Sequence, residues 1–283
     1  MTSRISAAAL FLAAAALICS AQPSKIVWSE EKPILEQMRK LRGMPDDLRA
    51  ATTRQLAVQI RALPAAPSKA ALAESLANLV TEGDPGLDTL QEVANTLAEA
   101  IHEQPPAANN GQPFVTLAQL VRYEQVKLSI DDPRFASAMT RLESDDEARQ
   151  HANFTLSDLN GKTWTLQDLH GKVVVVNFWA TWCPPCRKEM PDLEALYQRF
   201  APKGLVILAI SDEDPAKVQP FIAEHHFTYP ILLDPGRKVN DLFHVEGIPK
   251  TFVYDREGQL AAEAIDMRTQ HQFLAMLAKA GLP

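Results

Sequence analysis

Residues 172–200 read KVVVVNFWATWCPPCRKEMPDLEALYQRF, and the order of patterns within them decides the fold. The first eight residues, Lys172 to Trp179, form a near-continuous apolar run rich in β-branched side chains, which reads as a buried strand. After Cys186, residues Arg187 to Phe200 carry Leu193, Leu196, Tyr197 and Phe200 at helical spacing. Cys183-Pro184-Pro185-Cys186 therefore falls where the C-terminal end of a strand meets the N-terminus of a helix. Two cysteines separated by two residues can close a disulfide and reopen it, and the thiolate is the attacking form. At a helix tip the unpaired N–H groups and the helix dipole favour an anion on Cys183. Cys186, inside the first turn, is expected to be the more buried of the two, while Cys183 at the helix tip can be exposed.

Downstream the pattern alternates. A strand is expected at 205–210, a helix near 216–224 and a short strand at 229–233. Strands at 251–254 and 260–264 flank Asp255-Arg256-Glu257-Gly258, and a terminal helix covers about 270–279. Upstream, short strands at 153–156 and 163–166 flank Asn160-Gly161, a strong hairpin signal. This order describes a mixed sheet covered on both faces.

Residues 22–149 read differently. Four apolar faces at helical spacing are marked by Leu48, Leu56, Ile60 and Leu63; by Leu72, Leu76, Leu79 and Val80; by Leu87, Leu90, Val93, Leu97 and Ile101; and by Leu117, Leu120, Val121 and Leu128. Asp84-Pro85 and Asp132-Pro133 each fit an N-cap followed by proline, and Thr116 with Gln119 fits a capping box. Residues 104–113 read as a loop. No signature residue recurs between helices, so a plain bundle is expected rather than a repeat array. This half shows no catalytic constellation.

Residues 1–21 resemble a secretory signal. Arg4 precedes a 14-residue apolar stretch, Ile5 to Ile18, broken only by Ser6, and Cys19-Ser20-Ala21 supplies small residues before a cleavage point. The alternatives are a lipidated Cys19, against which bulky Ile18 argues, and an uncleaved anchor. The stretch spans about 21 Å at ~1.5 Å per residue, short of the ~30 Å hydrocarbon core. Of the three cysteines, removal of the signal takes Cys19 and leaves Cys183 and Cys186. A single close pair in an exported protein is not a disulfide scaffold. The formal charge of −7 argues against a nucleic-acid partner. The seven histidines do not cluster beyond His225-His226, although His244 lies five residues before Pro249 and is a candidate to approach the site. The run Asp212-Glu213-Asp214 is expected to be a solvated loop or a helix cap.

Residues 154–265 resemble the thioredoxin superfamily, and within it the exported TlpA/ResA-type thiol-disulfide oxidoreductases. The resemblance lies in Phe178 to Cys186 (FWATWCPPC), Arg187 to Pro191 (RKEMP), Gly247 to Phe252 (GIPKTF) and the leading hairpin with Gly161 and Gly171-Lys172. It implies an α/β thioredoxin-like fold, a mixed central sheet flanked by helices with an N-terminal β-hairpin. The all-α half precedes it. The expected organisation is thus a signal at 1–21, a helical domain of unknown role at 22–149 and a thioredoxin-like domain at 150–283.

The resemblance also implies roles. Cys183 attacks a substrate disulfide and Cys186 resolves the mixed disulfide. Pro249 is the cis-proline beside the sulfurs, and Ile248 offers its backbone to the bound peptide. Trp182, Pro184 and Pro185 shape the docking surface. Pro191 falls where this family kinks its active-site helix, removing a helical hydrogen bond. Trp179 fits either a docking or a core role. Thioredoxin itself carries an aspartate where this chain has Asn177, which cannot accept a proton. The ResA-like branch instead uses a glutamate three residues after the second cysteine, here Glu189, which shares a helix face with Cys186; a solvated carboxylate is the plainer alternative. The two prolines remove two N–H groups from around Cys183, and no histidine lies inside the motif. Both features favour a reductant over a strong oxidant. No cofactor is implied. The partners implied are disulfide-containing exported proteins, apocytochrome c among the candidates, and a membrane thiol reductant of the DsbD/CcdA type, in the periplasm or cell envelope.

Other readings fit less well. In a protein-binding or copper-handling module the pair would be a metal or secondary redox site, but copper handling favours another cysteine spacing with a partnered histidine. One pair without a second pair at ligand spacing does not make a zinc site. A peroxidase would carry a Thr or Ser hydroxyl at the position of Ala180.

Overall fold

The computed structural model describes residues 30–282; the expected signal at 1–21 lies outside them. The first half is a helical bundle: α1 (Glu31–Met38), α2 (Asp46–Arg61), α3 (Pro67–Val80), α4 (Leu87–Glu103), α5 (Gln112–Tyr123) and α6 (Pro133–Gln150). Helix α4 packs against α2 and α3, and α5 against α6. Its stripe of Leu90, Val93, Ala94, Leu97, Ala100 and Ile101 is buried, as apolar residues three and four apart on one helix must be.

Several local expectations fail here. Leu48 and Leu87 are exposed. The buried face of α2 starts instead at Arg49, two turns before Leu56, and continues through Thr53 and Ile60. Asp84-Pro85 does not cap a helix: α4 begins two residues later behind Gly86, whose φ of +78° suits glycine. Thr116 lies inside α5, because Pro113 sits in the first turn of a helix that already starts at Gln112. Leu128 lies in the loop after α5. The Asp132 cap holds, with Asp132 Oδ1 accepting from the Arg134 N–H at 2.8 Å.

The second half begins with a two-stranded hairpin, β1 (Thr155–Ser157) and β2 (Thr163–Thr165), turned at Gly161 with φ +81°. Then follow β3 (Val173–Phe178), α7 (Pro184–Phe200), β4 (Leu205–Ser211), α8 (Pro215–His225), β5 (Ile231–Leu233), the short α9 (Lys238–Leu242), β6 (Lys250–Tyr254), β7 (Leu260–Ala264) and α10 (Gln270–Lys279). The sheet order is β5-β4-β3-β6-β7. Strands β3, β4 and β5 run parallel, while β6 pairs antiparallel with both β3 and β7. This is the thioredoxin-like arrangement, with helices covering both faces.

Strand β3 is central and every residue in it is buried. Its side chains alternate between two cores. Val173 and Val175 join the core under α7 and α10 with Leu193, Leu196 and Phe273. Val174, Val176 and Phe178 join the opposite core with Phe243 and Phe252. Asn177 shares the parity of Val173 and Val175, so the pleat aims it at α7.

The halves meet through buried charge. Arg149, near the end of α6, donates through Nε to the Phe243 carbonyl at 3.0 Å and stacks 5.1 Å over the Phe252 ring. Its Nη1 lies 3.2 Å from Glu263, which also pairs with Lys250. Burial pushes the Glu263 carboxyl up and the Lys250 amine down, and their mutual attraction opposes both shifts. Truncating one member of such a buried cluster strands the rest, at a cost of about 3–5 kcal/mol. Arg149→Ala is expected to lose about that much in urea unfolding; a loss below ~1 kcal/mol would show that the cluster does not hold the halves together.

Candidate active site

Cys183 is the N-cap of α7, with φ −87° and ψ 107°. Pro184 and Pro185 occupy the first two helical positions, where a missing N–H costs no intrahelical bond. Cys186 is therefore the first residue of the turn that can donate, and its N–H meets Cys183 Sγ at 3.2 Å. The prolines thus leave one backbone donor on this sulfur. The cysteines are joined, S–S 2.05 Å with Cα atoms 5.3 Å apart, so the structure is the oxidised form.

Both cysteines are buried in the disulfide form. Cys183 is 2% exposed and Cys186 is fully buried. In the disulfide, Cys183 Sγ turns inward against the Ile248 carbonyl at 3.7 Å, part of the core that Trp179, Met190 and Leu193 line. Trp182, by contrast, is 66% exposed beside it, a large apolar surface at the entrance.

The Ile248–Pro249 bond is cis. Pro249 is buried and Ile248 half-buried, and its carbonyl faces the sulfur. Trp179 lies in the core, its ring centroid 5.5 Å from that of Phe221. Pro191 sits inside α7.

Three residues past Cys186 on α7, Glu189 belongs to a buried polar set. Asn177 and Thr251 are directly paired across β3 and β6, and Asn177 Nδ2 donates to Thr251 Oγ1 at 2.9 Å. The same amide donates to Glu189 Oε1 at 2.8 Å, and the Arg268 N–H donates to Glu189 Oε2 at 3.1 Å. Glu189 is 1% exposed, so it is not a solvated helix carboxylate. Burial raises its pKa from 4.5 to about 8, against the opposing pull of the Arg268 and Asn177 hydrogen bonds. Burial thus favours the protonated form of this carboxyl. Asn177 Oδ1 has no protein partner; turning the amide over would offer that oxygen to the Glu189 proton.

Glu213, in the acidic run expected to be a solvated loop or a helix cap, has a further role. It accepts from the Thr181 N–H at 2.6 Å and from Thr181 Oγ1 at 2.9 Å, tying down the loop that leads into Cys183. Its neighbour Asp214 caps α8. The sequence signal available was only an acidic run after a strand. His244 does not approach the sulfurs: it turns to Asp145 of α6, 2.6 Å away. Among the described residues no group of three or more His, Cys, Asp or Glu is placed to hold a metal ion.

Comparison with known proteins gives the family. Residues 148–263 match the AhpC/TSA family. The thiol-disulfide oxidoreductase ResA of Bacillus thuringiensis (strain Al Hakam) is 36% identical over 132 residues, 46% of this chain and 76% of that protein. ResA of Bacillus subtilis (strain 168) is 35% identical over 139 residues, 48% of this chain and 78% of that protein. Among solved structures, a putative thiol:disulfide interchange protein DsbE from Chlorobium tepidum matches with TM-score 0.43 and 26% identity, covering 46% of this chain and 93% of that one. The fold and the paired cysteines define a thioredoxin-like thiol-disulfide oxidoreductase. The chain belongs to the ResA-type family of these enzymes, and its helical half lies outside the family match.

Proposed function

We propose that the protein is a disulfide reductase acting on exported proteins, with Cys183 as nucleophile, Cys186 as resolving thiol and Glu189 as proton carrier. In the reduced enzyme the Cys183 thiolate attacks a substrate disulfide. One substrate sulfur leaves as a thiolate and a mixed disulfide forms on Cys183. Cys186 then gives its proton to Glu189 and attacks Cys183 Sγ. The second substrate sulfur leaves, and the Cys183–Cys186 disulfide closes. Two electrons pass from the enzyme dithiol to the substrate disulfide. The backbone at Ile248 and the exposed ring of Trp182 receive the substrate chain, with Pro184 and Pro185 forming the floor.

The observation that carries the reading is a Cys183–Cys186 disulfide at the first turn of α7 with the buried carboxyl of Glu189 three residues further along the same helix. The direction follows from the motif. With one backbone donor on Cys183 and no histidine between the cysteines, the thiolate is weakly stabilised, and a weakly stabilised dithiol is a better reductant. Apocytochrome c before haem attachment is a substrate of fitting chemistry, and a membrane thiol carrier of the DsbD/CcdA type would return the electrons. Both place the enzyme in the periplasm or cell envelope, delivered or tethered by residues 1–21. Among the described residues no helix is long and apolar enough to cross a membrane.

Insulin reduction driven by dithiothreitol tests the activity. The wild type is expected to accelerate precipitation of the insulin B chain, and Cys183→Ser to fall to the uncatalysed rate. A Cys183→Ser protein as fast as wild type would overturn the assignment.

A further inference from the structure

The helical half holds the segment that holds Glu189. That segment is the connector 265–269 between β7 and α10. The Arg268 N–H donates to Glu189 Oε2 at 3.1 Å, while the Arg268 side chain points the other way, into the helical half. There its guanidinium, buried, pairs with Glu124 just after α5 and donates to the Thr81 carbonyl at 3.4 Å. The neighbours of Arg268 are tied to the same place. The Gly83 N–H donates to the Met267 carbonyl at 3.0 Å, Thr81 Oγ1 to Asp266 Oδ2 at 3.3 Å, and Gln272 Nε2 to the Gly83 carbonyl at 3.0 Å. Gly83 sits at φ +112°, a backbone conformation that suits glycine.

We propose that Arg268 is a positioning residue for proton transfer at Glu189, held in register by Glu124 and the 81–83 turn, so that the helical half is a working part of the redox site. The inference rests on the reading of Glu189 as proton carrier. A backbone N–H aimed at a carboxylate stabilises its charged form, and a connector free to move would lose that aim. The nearby cation acts in the same direction. The groups facing Glu189 are Cys186 on its own helix, Asn177 from β3 with Thr251 behind it, Tyr229 before β5, and Asp266 and Arg268 from the connector. Arg268 lowers the proton affinity of Glu189 and Asp266 raises it. Glu82 in turn faces Asp266, and Glu124 faces Arg268.

The test uses the reduced full chain and 5,5′-dithiobis(2-nitrobenzoate). The first chromophore equivalent reports attack by Cys183 and the second reports resolution by Cys186. Rates are followed from pH 5 to 9 for wild type, Glu189→Gln, Arg268→Met, Arg268→Lys and Glu124→Gln. Arg268→Met is expected to move the pH midpoint of the second phase alkaline by about one unit, slowing it about tenfold at pH 7, with the first phase changed less than about twofold. Arg268→Lys, which keeps the cation, is expected to restore most of the wild-type profile, and Glu124→Gln to shift it in the same direction as Arg268→Met. If Glu189→Gln alters the second phase while Arg268→Met and Glu124→Gln superimpose on wild type, the inference fails and the proton-carrier reading stands. If Glu189→Gln also leaves the second phase unchanged, both fail. Should Arg268→Met not fold, Glu124→Gln decides: an alkaline shift supports the proposal, and superposition on wild type or an acid shift overturns it.

Discussion

Cys186→Ser is expected to stop turnover while leaving attack intact, so that a mixed disulfide with substrate accumulates on Cys183. The reason is positional. Cys183 caps α7 next to the exposed Trp182, with its sulfur against the Ile248 carbonyl, whereas Cys186 is fully buried in the first turn. An incoming disulfide can meet only the outer sulfur, and without the inner one nothing expels the substrate. Insulin reduction by Cys186→Ser is expected to fall to background. Mass spectrometry after mixing with a disulfide-bearing protein should show close to one covalent adduct per chain, removable by dithiothreitol and mapped to Cys183. In cells of the native host the same variant, purified without reductant, would carry its physiological substrates. An adduct on the remaining cysteine of Cys183→Ser, as fast to form as that on Cys183, would reverse the assignment.

Glu189→Gln is expected to slow the resolving step about 100-fold near neutral pH, within the range a positioned general base contributes. The step needs Glu189 unprotonated, so in the wild type its rate climbs with pH toward the pKa of the carboxyl. In the Gln variant that limb disappears, and what remains follows deprotonation of Cys186 by solvent.

The same substitution has a second signature, in stability. Burial raises the pKa of Glu189 in the folded disulfide form from 4.5 to about 8. Below pH ~4.5 folded and unfolded chains both hold the proton. Between 4.5 and about 8 the folded chain binds a proton that the unfolded chain has released. Stability from this group therefore falls as pH rises, by at most about 1.4 kcal/mol per unit, and levels off above the folded pKa. Glutamine removes this slope. Oxidised Glu189→Gln is expected to gain about 2–3 kcal/mol relative to oxidised wild type between pH 6 and pH 9 in urea unfolding. Parallel pH dependences for the two proteins would show that the carboxyl is not buried neutral.

How much of this the sequence discloses depends on whether a feature is local. The Val173–Phe178 strand, the cysteine turn and the α7 register are local patterns, and the structure places them within a residue or two. The terminal helix 270–279 and the strand 260–264 fall on the expected residues. What the sequence conceals is set by tertiary partners. Asp84-Pro85 has the form of a helix cap, but Gly83 and Asp84 are engaged by Met267 and His271 of the other half, and the helix starts later. Leu48 has an apolar side chain at nearly the right spacing, yet Arg49 takes the inward position because its Nη2 can reach the Leu79 carbonyl at 2.8 Å. The burial of Glu189 is invisible in a helix with mixed charge, since it depends on Asn177 from β3 and on a backbone N–H 79 residues away. Glu213 is hidden for the same reason: an acidic run gives no sign that one carboxylate will reach back 32 residues to Thr181.

The reduction potential of the Cys183–Cys186 couple tests the central claim most directly. The full chain is equilibrated in dithiothreitol redox buffers at pH 7, and the dithiol fraction is counted by alkylation and mass spectrometry. The account predicts a single two-electron transition at Cys183 and Cys186, with a potential nearer to that of thioredoxin, about −270 mV, than to that of a strong oxidase, about −120 mV. A value near −120 mV would contradict the reductase reading, and a folded protein whose disulfide exchanges with no dithiol would contradict the redox site itself.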